Sequence, residues 1–232
     1  MQVLILAGGE GTRLKSVINH IPKSLADIND KPFVEYIFDY LIRYGIKSII
    51  LSVGYKHQDI IDKFGSRYKD LGIEYCIEDK PLGTGGALIK ALPLIKEDNL
   101  LVINGDTFFD VDLNGLKTFH DEKKADLTLS LKQMHNFDRY GRVFVDENNK
   151  ITGFEEKTFC PSGLINGGVS LIKVDTLSKI NLGEKFSFEK DFLENYYKDY
   201  NFYGLQQNEY FIDIGIPEDY ERAKNELKRF KN

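Results

Sequence analysis

Cysteine, histidine and long apolar runs are scarce in this sequence. Two cysteines, Cys76 and Cys160, among 232 residues are too few for a disulfide framework and favour a cytoplasmic protein. The four histidines lack the spacing of zinc ligands. The longest apolar runs, residues 3–7 and 100–103, are far too short to span a bilayer, and the first residues lack the features of a signal peptide. A membrane-spanning or disulfide-stapled protein is therefore not expected.

An excess of basic charge is also absent. The formal net charge is −5 at pH 7, which argues against a nucleic-acid partner. The composition, 42% hydrophobic and 29% charged, is otherwise typical of a globular protein. We expect one domain over residues 1–232, because no repeat or flexible linker marks a boundary.

The N-terminal strand and the turn after it carry the first functional signal. Residues 3–7 predict a buried parallel strand that ends in a glycine-rich turn. The turn and the segment after it supply backbone freedom, a hydroxyl and two cations, from Gly8, Gly9, Gly11, Thr12, Arg13 and Lys23. This combination suits a polyphosphate, held by a local cluster in an acidic protein. The alternative is an ordinary strand-to-helix turn that needs glycine.

Two common phosphate motifs do not fit this turn. The Walker loop requires Gly-Lys-Ser/Thr, and the dinucleotide fingerprint requires glycine where Leu14 stands. The turn instead resembles the signature of the sugar-1-phosphate nucleotidylyltransferases, Leu-Ala-Gly-Gly-x-Gly-Thr-Arg-Leu followed by Pro-Lys. The second part is Pro22-Lys23 here. The resemblance implies an Mg²⁺-dependent enzyme that joins a nucleoside triphosphate to a sugar 1-phosphate and releases pyrophosphate.

Strands and helices alternate through the first half of the chain. Strands are predicted at 48–53, 73–77 and 100–103, and helices after Pro32 and at 58–68, 87–94 and 113–123. This alternation predicts an α/β fold with a mostly parallel sheet, in which 100–103, the most apolar strand, is central. The resemblance implies a Rossmann-like three-layer sandwich of the nucleotide-diphospho-sugar transferase type.

The pattern changes after residue 124. Strands are predicted at 125–132, 142–146, 151–156 and 163–172, with a polar hairpin turn at 146–150, then a helix at 188–200, strands at 201–206 and 210–212, and a last helix from Pro217. This antiparallel section is expected as a sugar-phosphate lobe of about 125–232. It would complete a nucleotide-binding lobe of about 1–124.

The loop after the third strand is a second glycine-rich junction. Glycines there permit close approach to a flat ligand or simply a flexible turn. The resemblance implies that Gly83 backs the nucleotide base and that Glu78 lies near its hydrogen-bonding edge. A carboxylate accepts from N1–H and N2–H of guanine and repels the oxygens of uracil, which favours GTP. The expected nucleotide-binding residues are Leu6, Ala7, Gly8, Gly9, Gly11, Thr12, Arg13, Lys23, Glu78, Pro81, Gly83 and Thr84.

Two aspartates are candidate metal ligands. Asp106 follows the predicted central strand, where a carboxylate suits Mg²⁺ bridged to phosphates. The alternative is a helix N-cap, for which Asp110 or Asp112 is better placed. The resemblance implies that Asp106 and Asp213 hold the metal, that Arg13 contacts the β- and γ-phosphates, and that Lys23 contacts the α-phosphate region. The expected catalytic residues are Arg13, Lys23 and Asp106.

The antiparallel section carries the candidate sugar site. A sugar needs carboxylate and amide groups for its hydroxyls and a cation for its phosphate, which Glu155, Asn166 and Lys157 can supply. Strand alternation places Glu155 and Lys157 on one face, although an exposed glutamate is often merely solvated. The segments around these residues resemble the family's sugar-binding segments, which adds Gly141 and Gly167.

The short chain, with no C-terminal β-helix, most resembles the family's guanylyltransferases that act on a manno-heptose 1-phosphate. The supporting segments are residues 16–26 and Val53-Gly54-Tyr55. One alternative is a uridylyl- or thymidylyltransferase for a hexose 1-phosphate. The other is a non-catalytic regulatory paralogue that binds nucleotide sugars. A homodimer is left open.

Overall fold

The computed structural model describes residues 1–9, 11, 14, 17–18 and 21–230. The strands within these residues are β1 (Gln2–Leu6), β2 (Ser48–Val53), β3 (Arg67–Tyr68), β4 (Leu71–Ile77), β5 (Asn99–Asn104), β6 (Thr107–Phe109), β7 (Leu127–Phe137), β8 (Arg142–Val145), β9 (Ile151–Glu155), β10 (Cys160–Lys173), β11 (Phe202–Gln206) and β12 (Phe211–Asp213). The α-helices are α1 (Phe33–Arg43), α2 (His57–Phe64), α3 (Gly83–Ala91), α4 (Leu113–Lys123), α5 (Val174–Ser178), α6 (Glu194–Tyr196) and α7 (Pro217–Glu226).

The main sheet joins parallel and antiparallel strands in one layer. Its order is β11-β7-β10-β5-β1-β2-β4-β3, with β8 attached to β10 and β9 to β8. Strand β1 runs parallel to β2 and β5, and β2 runs parallel to β4. Strand β10 is antiparallel to β5 and β7. The prediction that 100–103 lies near the centre of a mostly parallel sheet is confirmed.

Both faces of this sheet are covered, because its strands alternate between two hydrophobic clusters. In β1, Val3 and Ile5 belong to one cluster and Leu4 to the other. Helices α1, α2, α4 and α7 contribute to the first cluster, whereas α3, α5 and a π-helical turn at Phe188–Leu193 contribute to the second. The predicted three-layer sandwich is therefore confirmed. In the part of the chain described, no helix has the length and apolar character that a membrane span requires.

Several predicted bounds need correction. Helix α2 ends at Phe64, not residue 68, because Gly65 adopts φ 55° and the chain turns into β3, which pairs with β4. Helix α3 begins at Gly83, so the glycines predicted in a loop form its first turn. The helix predicted at 188–200 is the π-helical turn followed by the short α6. Strands β7 and β10 are longer than predicted because their ends pair, Cys160 with Phe137.

Short local features agree with their predictions. Asp112 caps α4 by accepting from the Asn114 amide at 3.1 Å, which leaves Asp106 free of that role. The Asp146 carboxylate accepts from the amides of Asn148 at 2.9 Å and Lys150 at 2.8 Å, closing the predicted hairpin turn. A 3₁₀ turn at Lys23–Leu25, missing from the predictions, follows Pro22.

Candidate active site

A cavity of about 800 Å³ opens where β1, β2, β4 and β5 end. Ligands of parallel α/β sheets bind at this carboxyl edge. Most of the predicted site residues line the cavity: Leu6, Ala7, Gly8, Gly9, Gly11, Lys23, Glu78, Pro81, Gly83, Thr84, Asp106, Lys157, Asn166, Gly167 and Asp213. Thr12 and Arg13 lie outside the described residues. The structure thus brings both predicted half-sites to one cavity, while the ligand assigned to each residue stays a prediction.

The turns after β1 and β2 pack backbone against backbone. A Cβ at Gly54 would stand 3.0 Å from the Gly8 carbonyl oxygen, and a Cβ at Gly8 would stand 2.3 Å from Glu78 Oε1. A side chain at Gly8 would therefore displace the Glu78 carboxylate, and one at Gly54 would press on the Gly8 peptide group. The result is a cavity wall of exposed peptide groups, as expected for a turn that approaches a ligand closely.

Glu78 is held inside this wall and does not turn to solvent. Its Oε1 accepts from the Ser52 hydroxyl at 3.1 Å, and its Oε2 accepts from the Leu82 amide at 3.2 Å. Both oxygens retain acceptor capacity, because an ionised carboxylate offers about four lone-pair sites. A fixed carboxylate thus faces the nucleotide end of the cavity.

The glycines of the second junction have a contact that was not predicted, while the predicted contact of Gly83 with a base stays a prediction. A Cβ at Gly83 would stand 2.5 Å from the Phe186 carbonyl oxygen, and a Cβ at Gly85 would stand 2.1 Å from the Phe186 ring. The approach that needs glycine is therefore that of residues 184–188, called the strap here. The strap is fixed by hydrogen bonds from Gly85 N to Phe186 O (3.0 Å) and from Phe188 N to Thr84 Oγ1 (2.9 Å).

Two predicted metal ligands meet because of the small second sheet. Strands β6 and β12 pair antiparallel, with Asp213 opposite Thr107, and the Ile214 amide donates to the Asp106 carbonyl at 3.0 Å. This pairing sets the two aspartates side by side. The Lys23 ammonium lies 2.6 Å from Asp106 Oδ2 and 4.0 Å from Asp213 Oδ1.

The groups around Asp213 shift the pKa of its carboxyl. Burial raises the pKa of this carboxyl, and the nearby Asp106 carboxylate raises it further, whereas Lys23 opposes the shift. The Gly215 amide donates to Oδ1 at 2.6 Å, and the Tyr140 hydroxyl donates to Oδ2 at 3.3 Å. Two neighbouring carboxylates, one with a raised pKa, form a site that favours a cation.

The donor set fits a hard divalent cation. The lysine ammonium between Asp106 and Asp213 already occupies the position that such an ion would favour. Mg²⁺ is commonly bound by one or two carboxylates together with substrate phosphates. No group of three or more potential metal ligands occurs among the described residues, so a cation held by protein carboxylates and phosphates fits better than an all-protein cage.

The part of the cavity where the sugar site is predicted, called the sugar end here, is shaped by an irregularity in β10. Its pairing with β7 shifts register between Asn166 and Ser170, and Gly168 there has φ 73°. Bulges re-aim side chains, and Asn166 lines the cavity with Lys157. A Cβ at Gly167 would stand 2.3 Å from the Phe109 ring, so glycine is required at this position.

Two residues predicted at the sugar site are not among those that line the cavity. Glu155 forms an ion pair with Arg142 at 2.5 Å within the β8–β9 hairpin, and the Gly141 backbone packs on the Glu155 carbonyl. The alternation argument that paired Glu155 with Lys157 fails because β9 ends at Glu155. Beyond the strand end, side chains no longer alternate between two faces.

Sequence reasoning missed several lining residues, among them the ionisable side chains of Arg139, Tyr140 and Glu189. Arg139 NH1 lies 2.5 Å from Asp219 Oδ2, and its NH2 donates to the Tyr140 hydroxyl at 2.8 Å. The first two stand directly before Gly141, so the family-like segment around that glycine was the signal for them. Glu189 had no signal, because it stood in a predicted helix. Glu189 is exposed to the open cavity, where partial desolvation raises its pKa and Lys157 opposes the shift.

Comparisons with known proteins agree with this geometry. Residues 2–229 match the nucleotidyl transferase family model. The D-glycero-alpha-D-manno-heptose 1-phosphate guanylyltransferase of Aneurinibacillus thermoaerophilus is 48% identical over 99% of this chain and 100% of its own length. The enzyme of that name from Campylobacter jejuni is 50% identical over 95% of this chain and 97% of its own. The crystal structure of HddC from Yersinia pseudotuberculosis superposes with a TM-score of 0.87, at 38% identity and 99% coverage of both chains, and a second HddC structure is complexed with GMP-PN.

Proposed function

Since this chain belongs to the nucleotidyl transferase family, we propose that it transfers a guanylyl group from GTP to a sugar 1-phosphate. The favoured acceptor is D-glycero-alpha-D-manno-heptose 1-phosphate, and the products are the GDP-sugar and pyrophosphate. Two relatives that share about half of its residues over nearly the full chain carry this activity in their names. The role is thus in nucleotide-sugar biosynthesis, in the cytoplasm.

One observation carries the proposal: Lys23, Asp106 and Asp213 lie together in a cavity that is lined by both the predicted nucleotide residues and the predicted sugar residues. The Lys23 ammonium lies 2.6 Å from the Asp106 carboxylate and 4.0 Å from the Asp213 carboxylate, and both predicted half-sites line the same cavity. A reaction that joins two phosphates requires this arrangement of charge between its substrates.

The reaction needs no protein nucleophile. A phosphate oxygen of the sugar 1-phosphate attacks the α-phosphorus of GTP, and the bond from that phosphorus to pyrophosphate breaks. The chain's contribution is alignment and charge neutralisation. Lys23 lies where it can contact the α-phosphate, and Lys157 binds the incoming sugar phosphate at the other end. Arg13, assigned to the departing pyrophosphate, lies outside the described residues.

A divalent cation is part of this proposal. Asp106 and Asp213 would hold Mg²⁺, and Lys23, now between them, would turn to the phosphates. When the ion is bound, the chemistry it supplies is neutralisation of phosphate charge. The pairing of β6 with β12 fixes the carboxylates before any ligand arrives, which limits the reorganisation that binding requires.

Glu78 supports the choice of guanine. Its carboxylate is fixed by the Ser52 hydroxyl and the Leu82 amide and faces the cavity. It can accept from adjacent N1–H and N2–H donors of guanine, whereas it would repel the O4 and O2 acceptors of uracil. The HddC structure complexed with GMP-PN, a guanine nucleotide, points the same way.

The test is pyrophosphate release with Mg²⁺, measured for four nucleoside triphosphates against hexose and heptose 1-phosphates. We expect release with GTP and a manno-heptose 1-phosphate. Asp106→Ala should lower kcat on the order of a hundredfold, because loss of one such charge costs about 3 kcal/mol. Asp121→Asn, which alters an exposed carboxylate paired with Lys117 on α4, is the matched control.

The other outcomes separate the parts of the proposal. Release with UTP or dTTP alone would keep the reaction and contradict the guanine assignment. Full activity of Asp106→Ala would contradict the metal role. No release with any pair, despite nucleotide binding, would overturn the enzymatic function in favour of a regulatory paralogue.

A further inference from the structure

The structure sets a carboxylate that no sequence pattern indicated at the sugar end of the cavity. Glu189 lines the cavity, and its Oε1 accepts from Asn166 Nδ2 at 3.1 Å. Among the described residues this is the one hydrogen bond of its side chain, and no described cation pairs with it within 4.0 Å. Most of the acceptor capacity of this carboxylate therefore remains open to a ligand.

Asn166 is locked in the orientation that this contact requires. Its Oδ1 accepts from the Gly168 amide at 3.0 Å, and only the oxygen of a carboxamide can accept from an N–H. Its Nδ2 therefore faces Glu189, and one of the two hydrogens on that nitrogen is still available. The pair presents an acceptor and a donor side by side, which is the complement of sugar hydroxyls.

Glu189 is also anchored from the nucleotide end. It follows the strap directly and lies in the π-helical turn Phe188–Leu193, whose first amide, Phe188 N, donates to Thr84 Oγ1. Thr84 is in the first turn of α3. The backbone just before Glu189 is thus fixed to α3, and its carboxylate is held by Asn166, as pre-organised recognition requires.

Other glutamates near the sugar end are already paired. Glu155 pairs with Arg142 at 2.5 Å, and Glu156 pairs with Lys190 at 2.9 Å, with 63% of its side chain exposed. Of these three carboxylates only Glu189 lines the cavity. It therefore fits the role that the sequence pattern gave to Glu155.

We propose that Glu189 is a specificity-determining residue of the acceptor site, whose carboxylate accepts hydrogen bonds from hydroxyls of the sugar ring while Asn166 fixes its position. This inference rests on the proposed function. It assigns recognition of the sugar itself to Glu189 and leaves its phosphate to Lys157. The sugar hydroxyls would therefore be recognised by the π-helical turn, which is attached through the strap to the nucleotide end of the cavity.

The first test is the steady-state kinetics of Glu189→Gln. A hydrogen bond to a charged group typically contributes enough affinity for a tenfold to hundredfold effect, so we expect KM for the sugar 1-phosphate to rise by about that factor. KM for GTP should stay within about twofold. Glu122→Gln makes the same chemical change at an exposed carboxylate on α4, outside the cavity, and should match the wild type.

The second test uses acceptors that each lack one hydroxyl. One of these analogues should lack the hydroxyl that binds Glu189. For that analogue, the KM of the wild type should rise by the factor that Glu189→Gln causes with the intact acceptor. The KM of the Glu189→Gln variant should then show no further rise. Glu189→Asp, which keeps the charge one methylene further back, should give an intermediate KM. Binding of a GTP analogue confirms that each variant is folded.

An unchanged KM in Glu189→Gln, with an active wild type, would overturn this inference alone. The inference would also be overturned if Glu189→Gln raised KM by the same further factor with every deoxy analogue, since that result indicates an indirect structural effect. A wild type that releases no pyrophosphate with any acceptor would overturn the proposed function and this inference together.

Discussion

At the scale of single residues, contacts decide what chemically identical side chains can do. Asp106 and Asp213 differ in side-chain exposure, 41% against 19%, and burial raises the pKa of Asp213. Glu155 and Glu189 differ in pairing, and only the second faces the cavity. Residue type alone therefore does not identify a ligand; the availability of its atoms does.

His120 shows the same principle in the core. It is 2% exposed in α4, and its Nδ1 lies 2.9 Å from the Thr128 hydroxyl. Burial lowers the pKa of His120 from its ordinary 6.5 to about 4; Asp121 and Asp126 oppose the shift, and Lys173 and Lys117 add to it. The folded protein therefore contains the neutral ring at pH values where the unfolded chain binds a proton.

We predict a pH-dependent loss of stability from this residue. Because the folded pKa is below the unfolded one, the contribution is complete above pH 6.5 and is lost as the pH falls towards 4. Between pH 7.5 and 5 the loss is about 2 kcal/mol. Urea unfolding of the wild type and His120→Gln at both pH values measures it. An equal pH effect in the two proteins would contradict the prediction.

At the scale of elements, the strap connects two parts of the site that are distant in the chain. Residues 184–188 pack on the first turn of α3, which borders the nucleotide end, and lead directly to Glu189 at the sugar end. The contact is close only because Gly83, Gly85 and Gly86 have no Cβ. A shift of the strap should therefore affect both substrates.

Gly85→Ala tests this packing. The new methyl would overlap the Phe186 ring, which is 6% exposed and has little space to move. We expect a loss of about 1–3 kcal/mol in the free energy of unfolding and higher KM values for both GTP and the sugar 1-phosphate. Thermal unfolding and steady-state kinetics provide the two readouts.

A double variant and a control test whether overlap with the Phe186 ring causes the loss of stability in Gly85→Ala. Phe186→Leu removes the overlapping ring atoms, so the Gly85→Ala/Phe186→Leu protein should be more stable than the sum of the single effects predicts. Gly72→Ala is the matched control, because a Cβ there meets nothing closer than 3.5 Å. Simple additivity would show that the ring contact is not the cause.

At the scale of the whole molecule, β10 unites the two predicted lobes. One edge of β10 pairs with β5 and the other with β7. Each hydrophobic cluster also contains residues from both lobes, such as Val3 with Val169 and Leu4 with Phe202. No boundary in the described chain separates one core from another.

We therefore expect the lobes to unfold together. The sequence has no tryptophan, so a single tryptophan reports on its own lobe. Tyr44→Trp, at the end of α1, and Tyr200→Trp, stacked on Phe202 before β11, are two such reporters. Their urea midpoints by fluorescence should coincide with the midpoint from circular dichroism. Separate midpoints would show that each lobe folds alone.

The sequence by itself determined the sandwich, its central strand and most of the cavity. Apolar periodicity and glycine positions are local properties, and the carboxyl edge of a parallel sheet gathers whatever follows each strand. Val3 to Ala7, the turn after it and Asp106 could therefore be placed from pattern alone. Family resemblance added Asp213 and the order of the half-sites.

Only the tertiary structure decided which side chains reach the cavity from the second lobe. The meeting of Asp106 with Asp213 depends on β6 and β12, which are distant in sequence. The choice between Glu155 and Glu189 depends on an ion pair, a strand end and a strap that packs on α3. Such contacts arise from long-range packing, whereas sequence periodicity describes each element separately, so they could not be predicted from the pattern of residues.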